Sequence, residues 1–589
     1  MNIRLTCSRE TGMAAEAERI LRERVPLSGG GAEPLMLHVL YREEALDGYG
    51  LELYEDEQSG GVKAVVGASV PRNFIAGTGE LLSRLLAATD SGTADGAGGN
   101  SAEIRLSGEA AGGLALGRWE KRADVQERIH YMPGHFGNSF EVCWSGEMQR
   151  CLEDLALAGA SGYGDWFDPN DMPDPYHSHV YHSTSMFLWN RKKEWLTISQ
   201  RLGLDNVLVI TPNVGFVDQM RPEWVGVRDH AKQVQGQVLC PSNSAARKVI
   251  LNNHSQLFAD LKASGIKIQK VVYAPYDDGG CACERCQPYY PVFLQLVRDV
   301  QVIIRSFFPE VQADICGWWT SPEEREQLAQ FVEGEAKSWF GSFQYSAAYD
   351  VYALLPDLRA VMGERMALGC FLHIGFSRDR RDVYIKSGIH SAGERMQSVI
   401  RSFASQRCTG FMTYNESFGD HFNAFVASRL GYRMEEDLHD IVSFYGRLIL
   451  GLRGASLHKL VGVLLEMEGL DASRAAGWER ALEEIRTDVR VSPVQPWAFE
   501  HIVLKARLMA LDEGIERQLD NGIELEHALP DMERRLLLSE QLWRQVYGFG
   551  VLRHILIPDR MLPEWYGKYK AHKARDGGLL RSGAMHKDA

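Results

Sequence analysis

The chain has 589 residues, 45% of them apolar and 10% aromatic, with 78 acidic and 64 basic residues for a formal net charge of −14. That length exceeds one ordinary hydrophobic core and predicts two or three domains. The acidic balance excludes an extended nucleic-acid surface, which needs basic side chains to displace counterions.

At the N-terminus, Met1 to Glu10 shows no apolar run behind a basic start, and no later run is long enough to span a bilayer, so no membrane partner is expected. Residues 1–120 read as a small α/β domain, with strands at Leu35–Tyr41, Gly50–Tyr54 and Val62–Val66 and a helix over Gly79–Ala88. A Gly/Ala/Ser-rich stretch, Asp90–Ser101, follows and reads as a loop with too little apolar content to pack.

Over residues 121–435 the pattern becomes strand, loop, helix, repeated. Strands are expected at Arg128–Met132, Ser161–Phe167, Asn206–Thr211, Lys270–Ala274, Ala313–Trp319, Ser338–Phe343, Leu368–His373 and Thr409–Tyr414. Eight strands separated by helices predict a (β/α)8 TIM barrel, and no Gly-rich phosphate loop favours a doubly wound sheet instead. The helix after the first strand places Met148, Cys151, Leu152 and Leu155 on one face, with Ser145 as its expected N-cap. Residues 436–589 carry helical periodicity at 438–450, 457–465, 477–488, 497–512 and 532–547 and read as a helical domain. Its apolar faces leave open either homodimerisation or packing against the barrel. The basic stretch Lys568–Arg575 reads as a frayed end.

In a barrel of this kind, catalytic groups lie at the C-terminal strand ends. There the sequence offers His135 and Asn138, then Asp165, Trp166 and Asp168, then Asn213, then Tyr276, Asp277 and Asp278. Trp318 and Trp319, Gln344 and Tyr345, His373 and Arg378, and finally Tyr414, Asn415, Glu416 and Asp420 follow. Carboxylates among aromatics, amides and guanidinium groups suit a sugar site. Glycosidic cleavage needs one carboxyl to protonate the leaving oxygen and a second as base or nucleophile, while aromatic faces pack on sugar C–H surfaces. Asp278 and Glu416 form the best pair; each reads equally as a helix cap or ion-pair partner.

Ten cysteines, scattered from Cys7 to Cys408, are too few and too irregular for a disulfide scaffold, and a reducing cytoplasm is the expected setting. Three of them, Cys281, Cys283 and Cys286, cluster directly after the fourth strand. Packed, reduced thiols are the favoured reading, with a structural zinc left open, because a closed zinc site shows four ligands and no fourth is evident. His177, His179 and His182 complete a metal site only if the second and fourth loops meet.

Several passages resemble known families. Asp47–Leu53 with Val62–Arg72 and Gly79–Leu82 is similar to the small α/β domain that precedes the barrel in family 20 hexosaminidases and family 67 α-glucuronidases. Asp278-Gly-Gly-Cys-x-Cys-x-x-Cys286 resembles a loop in barrel proteins related to family 163 endo-β-N-acetylglucosaminidases, and Tyr414–Asn423 with Leu430–Tyr432 resembles their eighth-strand segment. In the hexosaminidases an Asp-Glu pair follows the fourth strand, the Asp orienting an acetamido group and the Glu acting as general acid. The matching positions here are Asp277 and Asp278, the second an aspartate. The resemblance implies a glycoside hydrolase without a resident cofactor.

The expected function is therefore cytoplasmic, exo-acting hydrolysis of imported oligosaccharides or glycosides. Asp278 is the expected general acid and Glu416 the second carboxylate, with Asp277 beside them. His135, Asn138, Asp165, Trp166, Asn213, Tyr276, Trp318, Trp319, Tyr345, His373, Tyr414 and Asp420 are expected to shape the pocket. The alternatives are a barrel that binds carbohydrate without turnover and a metal-dependent hydrolase or isomerase using the histidines and thiols.

Overall fold

The computed structural model describes residues 3–25, 35–57, 60–88, 114–134, 139–167, 169, 172–177, 182–229, 238–276, 279–333, 339–348, 362, 365–375, 391–415, 417–546 and 564–575. Its first sheet has five strands, β1 (Ile3–Arg9), β2 (Leu35–Glu43), β3 (Tyr49–Asp56), β4 (Gly61–Ala68) and β5 (Gly117–Lys121), in the order β1-β2-β4-β3-β5. β1, β2 and β4 are parallel, whereas β3 runs antiparallel to β4 and β5. In β2 every second residue, Leu37, Val39 and Tyr41, is buried, the alternation of a strand with one face on a core. The two edge strands went unpredicted because Arg4, Thr6 and Ser8 in β1 and Arg118 and Glu120 in β5 dilute the apolar signal, as charged and polar residues do on edges.

The barrel comprises β6 (Glu127–Tyr131), β7 (Gly162–Phe167), β8 (Asp205–Ile210), β9 (Lys270–Tyr273), β10 (Gln312–Cys316), β11 (Phe340–Ala348), β12 (Ala367–His373) and β13 (Gly410–Tyr414). It is closed and parallel throughout, β13 pairing with β6 through Tyr414 opposite Tyr131. All eight strands expected from the sequence are present, although Trp318 and Trp319 lie beyond β10 rather than within it. Alternate residues divide between two layers: Val207, Val209 and Val272 point inward with Ile129, Phe371 and Met412, while Leu208, Ile210, Val271 and Tyr273 pack outward under the helices. The floor is polar. Lys270 Nζ lies 2.6 Å from Glu127 and 2.8 Å from Asp314, so the inward carboxylates at the N-terminal end are engaged structurally.

Helices Leu438–Ile449, Gly454–Met467, Ala475–Ile485, Trp497–Asp520 and Leu525–Val546 follow the barrel, and no strand follows β13 among the described residues. No helix among them is long and apolar enough to cross a membrane. The helix Ser145–Ala158 starts one residue earlier than its expected cap implied: Trp144 is the N-cap, and Glu147 reaches back to accept its N–H at 2.8 Å. A glutamate at the third helical position satisfies an otherwise orphaned donor, which is why Ser145 is released into the first turn.

Two buried carboxylates join these parts. Helix Pro71–Ala88 lies so close to helix Ser145–Ala158 that a Cβ on Gly79 would sit 2.0 Å from the Leu157 carbonyl oxygen. Beside it, the fully buried Glu80 accepts from Arg84 at 2.9 Å and from Arg433 at 3.0 Å, with Arg429 at 3.6 Å. Burial alone would raise its carboxyl, but Arg433, Arg84 and Arg429 pull it down to about 2. Asp154 in the neighbouring helix meets Arg24 at 2.7 Å, His421 at 3.4 Å and Gln495 at 2.8 Å, one partner from each region of the chain.

Candidate active site at the barrel mouth

The C-terminal strand ends form an aromatic mouth. Tyr131 from β6, Phe371 and His373 from β12, Tyr414 from β13 and Trp318 after β10 stand ring to ring. Centroid separations are 5.5 Å for Tyr131–Tyr414, 5.2 Å for His373–Tyr414 and 4.8 Å for Trp318–His373. Strand alternation explains the grouping: Phe371 and His373 are two residues apart, as are Met412 and Tyr414, so each pair shares the inner face. The Trp318 indole N–H is buried and has no hydrogen-bond partner among the described residues. Next to it, Trp319 is 43% exposed and adopts φ 54°, a left-handed conformation unusual for a bulky residue. Strain of this kind persists only where its surroundings enforce it.

Several expected pocket residues have other engagements. Asp165 faces outward, away from the inward Trp166, and accepts from the Gly134 and Trp166 backbone N–H groups and from the buried Lys192 at 3.2 Å. It therefore anchors the chain leading to His135. Tyr345 also faces outward, into the layer under the helices, because the β11 alternation turns Gln344 and Ser346 inward; Ser346 Oγ lies 3.5 Å from His373 Nε2. Gln344 in turn donates to Asp314 of the floor at 2.7 Å. Tyr276 is buried against Tyr289 and Tyr290, and its hydroxyl donates to Glu324. Asp420, also buried, accepts from Ser417 N–H at 3.2 Å.

His135, Asn138, Asp168, Asp277, Asp278, Arg378 and Glu416 lie outside the described residues. The described neighbours of Glu416 and Asp278 are held by hydrogen bonds. Before Glu416, Asn415 donates through both its backbone N–H and its Nδ2 to the Tyr131 carbonyl, each at 2.9 Å. After it, Phe418 N–H donates to Ser139 Oγ at 3.1 Å, and the Phe418 ring stacks on Trp497 of the helical region at 4.8 Å. After Asp278, Asn213 binds the Gly280 backbone, and Tyr289 donates its hydroxyl to Asn213 Oδ1 at 3.1 Å. β9 and β13 are the fourth and eighth strands of the closed barrel, so the segments carrying the two expected carboxylates leave from opposite sides of the mouth.

The thiol cluster gains a member that no spacing motif announces. Cys240, at the end of the segment after β8, joins Cys281, Cys283 and Cys286, and the four sulfurs lie within 4.8 Å of one another. Its Sγ is 3.7 Å from both Cys283 and Cys286, far beyond the disulfide length of about 2.05 Å. Burial raises Cys281 and pushes Cys286 up to about 11; Cys283 would also rise, but hydrogen bonds from Cys286, Cys281 and Cys240 bring it down to about 7. The histidines are not needed to complete the group. His177 pairs instead with Asp174 at 2.9 Å, and neither His179 nor the His182 side chain is among the described groups.

No protein-family model matches the chain, and no curated protein matches it in sequence. Its fold has counterparts among solved structures. A family 89 glycoside hydrolase from Clostridium perfringens, in complex with PUGNAc, superposes with a TM-score of 0.54 at 11% identity, covering 85% of this chain and 62% of that one. The chain thus spans less than two thirds of that protein's length. A family 138 glycoside hydrolase targeting pectin rhamnogalacturonan II superposes with a TM-score of 0.51 at 8% identity, covering 97% of this chain and 78% of that one. At these identities the likeness is one of architecture: this chain shares with both the closed, parallel (β/α)8 barrel fold.

Proposed function

We propose that this protein is a glycoside hydrolase that uses two carboxylates, Asp278 as general acid and Glu416 as base or nucleophile, with Asp277 orienting the substrate. The observation carrying the proposal is the ring-lined mouth of Tyr131, Trp318, His373 and Tyr414 at the C-terminal strand ends of the barrel, where β9 and β13, the strands that precede these acids in sequence, also end. Aromatic faces accept sugar C–H surfaces, and the Trp318 N–H is a donor suited to a hydroxyl. Two solved barrels of this shape are glycoside hydrolases, which supports the same reaction class. The motif resemblance to families 20, 67 and 163 supports an exo-acting enzyme on oligosaccharides or glycosides. Ten free thiols support a reducing cytoplasm, where such substrates would arrive by import.

The test is a glycoside and oligosaccharide screen on wild type, Asp278→Asn and Glu416→Gln in parallel. Both substitutions are expected to lower turnover by roughly 10²–10⁴-fold, the usual contribution of acid–base catalysis. Turnover within a fewfold of wild type for both would overturn the assignment. Product analysis over time, monosaccharide release against internal cleavage, checks the exo mode.

A further inference from the structure

The four-cysteine cluster carries an inference independent of the sugar chemistry. We propose that Cys240, Cys281, Cys283 and Cys286 form a closed zinc centre that clamps the segment after β8 to the segment after β9 at the barrel rim. Sulfurs at the corners of a zinc tetrahedron with bonds of about 2.3 Å stand about 3.8 Å apart. The two Sγ separations from Cys240 are 3.7 Å, and every pair is within 4.8 Å, so a small contraction around a central ion completes the tetrahedron. An iron–sulfur cluster would interpose several sulfides and spread the four thiols much farther. Single-ion tetrahedral sulfur sites suit zinc best in a chain whose donors are all thiolates.

The surroundings also offer a polar partner to a bound thiolate: Cys286 Sγ lies 3.1 Å from Ser242 Oγ, a hydroxyl able to donate to it, while Cys286 N–H donates to the Cys283 carbonyl at 2.9 Å and fixes the Cys283–Cys286 turn. Backbone hydrogen bonds among the described residues tether both sets of ligands. Cys240 N–H donates to the Trp224 carbonyl at 2.8 Å, β-bridges join Val214 to Val238 and Val225 to Leu239, and three residues later Asn243 caps the helix Ser244–Ala263. Across the gap, Ala282 N–H donates to the Val227 carbonyl at 2.7 Å, and the helix Tyr289–Phe307 begins three residues after Cys286. A Cβ on Gly226 would stand 3.2 Å from Cys281 Sγ and 2.9 Å from Val238, so the two loops meet closely at the cluster.

Four protein sulfurs fill the tetrahedron, leaving no position for water or substrate, so the ion is structural and takes no part in bond cleavage. Its effect on the site is mechanical. Cys281 follows Asp278 by three residues, so fixing the thiols fixes the downstream end of the acid-bearing segment.

Elemental analysis of the purified full chain tests the proposal. We expect about one zinc per chain and no stoichiometric iron. Cys240→Ser and Cys283→Ser should each lower zinc below a tenth of the wild-type content, whereas Cys7→Ser, outside the cluster, should retain it. If the cluster variants fail to fold, wild type reconstituted with cobalt(II) should show the intense thiolate charge-transfer and d–d bands of a tetrahedral all-sulfur site. Iron in place of zinc, a metal-free wild type that stays empty when zinc is added during folding, or full zinc in soluble Cys240→Ser would each overturn it. Hydrogen exchange on metal-stripped protein reads the clamp: protection should fall at 238–243 and 279–288 while β6 and β13 keep theirs, and unchanged protection at the rim would refute the clamping role. None of these readouts uses sugar turnover, so their failure and that of the hydrolase assignment are separable.

Discussion

Asn213 holds Gly280 at both backbone groups: its Nδ2 donates to the Gly280 carbonyl at 2.9 Å, and its Oδ1 accepts the Gly280 N–H at 3.4 Å. The residue is fully buried, and Tyr289 shares its Oδ1. An amide at a strand end that suggests a sugar contact is thus a brace for the turn behind Asp278.

Asn213→Ala should therefore destabilise the fold by about 1–3 kcal/mol, the usual cost of leaving buried backbone groups unsatisfied. Turnover should fall with little change in KM. Urea unfolding and steady-state kinetics on the substrate found in the screen check this; a raised KM with unchanged stability would instead mark Asn213 as a direct sugar contact.

Gly279→Ala tests the same turn by crowding. The added Cβ would meet Thr211 Cγ2 at 2.5 Å and the Pro275 carbonyl oxygen at 2.7 Å. Loss of most activity in a folded protein is expected, read as kcat against the near-UV circular dichroism spectrum. Adding Thr211→Ser should restore only part of it, because the Pro275 carbonyl remains in the way.

Trp319→Ala separates stacking from folding. With the side chain 43% exposed, stability should change little, whereas KM should rise about fivefold for the loss of about 1 kcal/mol of sugar stacking. Trp319→Gly should raise KM as much and also raise Tm, since glycine relieves about 1–2 kcal/mol of left-handed backbone strain at φ 54°.

Glu80 predicts an acid limit. Its carboxyl is held at about 2, below its ordinary 4.5, so its stabilisation is complete above 4.5 and is lost as pH falls from 4.5 through 2. The shift corresponds to on the order of 3 kcal/mol. Glu80→Gln should be less stable than wild type at pH 7, and the difference should shrink as pH falls through that window, as measured by denaturant unfolding. Asp154, also held down despite burial, chiefly by Arg24 and then by His421 at 3.4 Å, adds to the same acid sensitivity.

The barrel was legible because its inner strands are short apolar runs, such as Val207–Ile210 and Val271–Tyr273, bounded by turn residues. Side-chain direction was less so. Tyr345 looks like a pocket residue by chain position, yet a one-residue difference in a period of two turns it to the outer layer. Asp165, Asn213, Tyr276 and Asp420 share their residue types with sugar contacts, and only their partners reveal them as supports. Cys240 lies too far upstream of Cys281 to enter a spacing motif; its proximity is created by the adjacency of β8 and β9.

The seam at Glu80 and Asp154 also bears on modularity. Arg24 lies in the first domain, Asp154 beside the barrel and Gln495 in the helical region, and Gly79 allows backbone contact across the first junction. Excising the barrel at its apparent borders would strip Glu153 of Arg19 and Asp154 of Arg24 and would expose the apolar face beneath helix Pro71–Ala88. Removing the first domain should therefore appear as insolubility of the remainder rather than as a freed, working barrel.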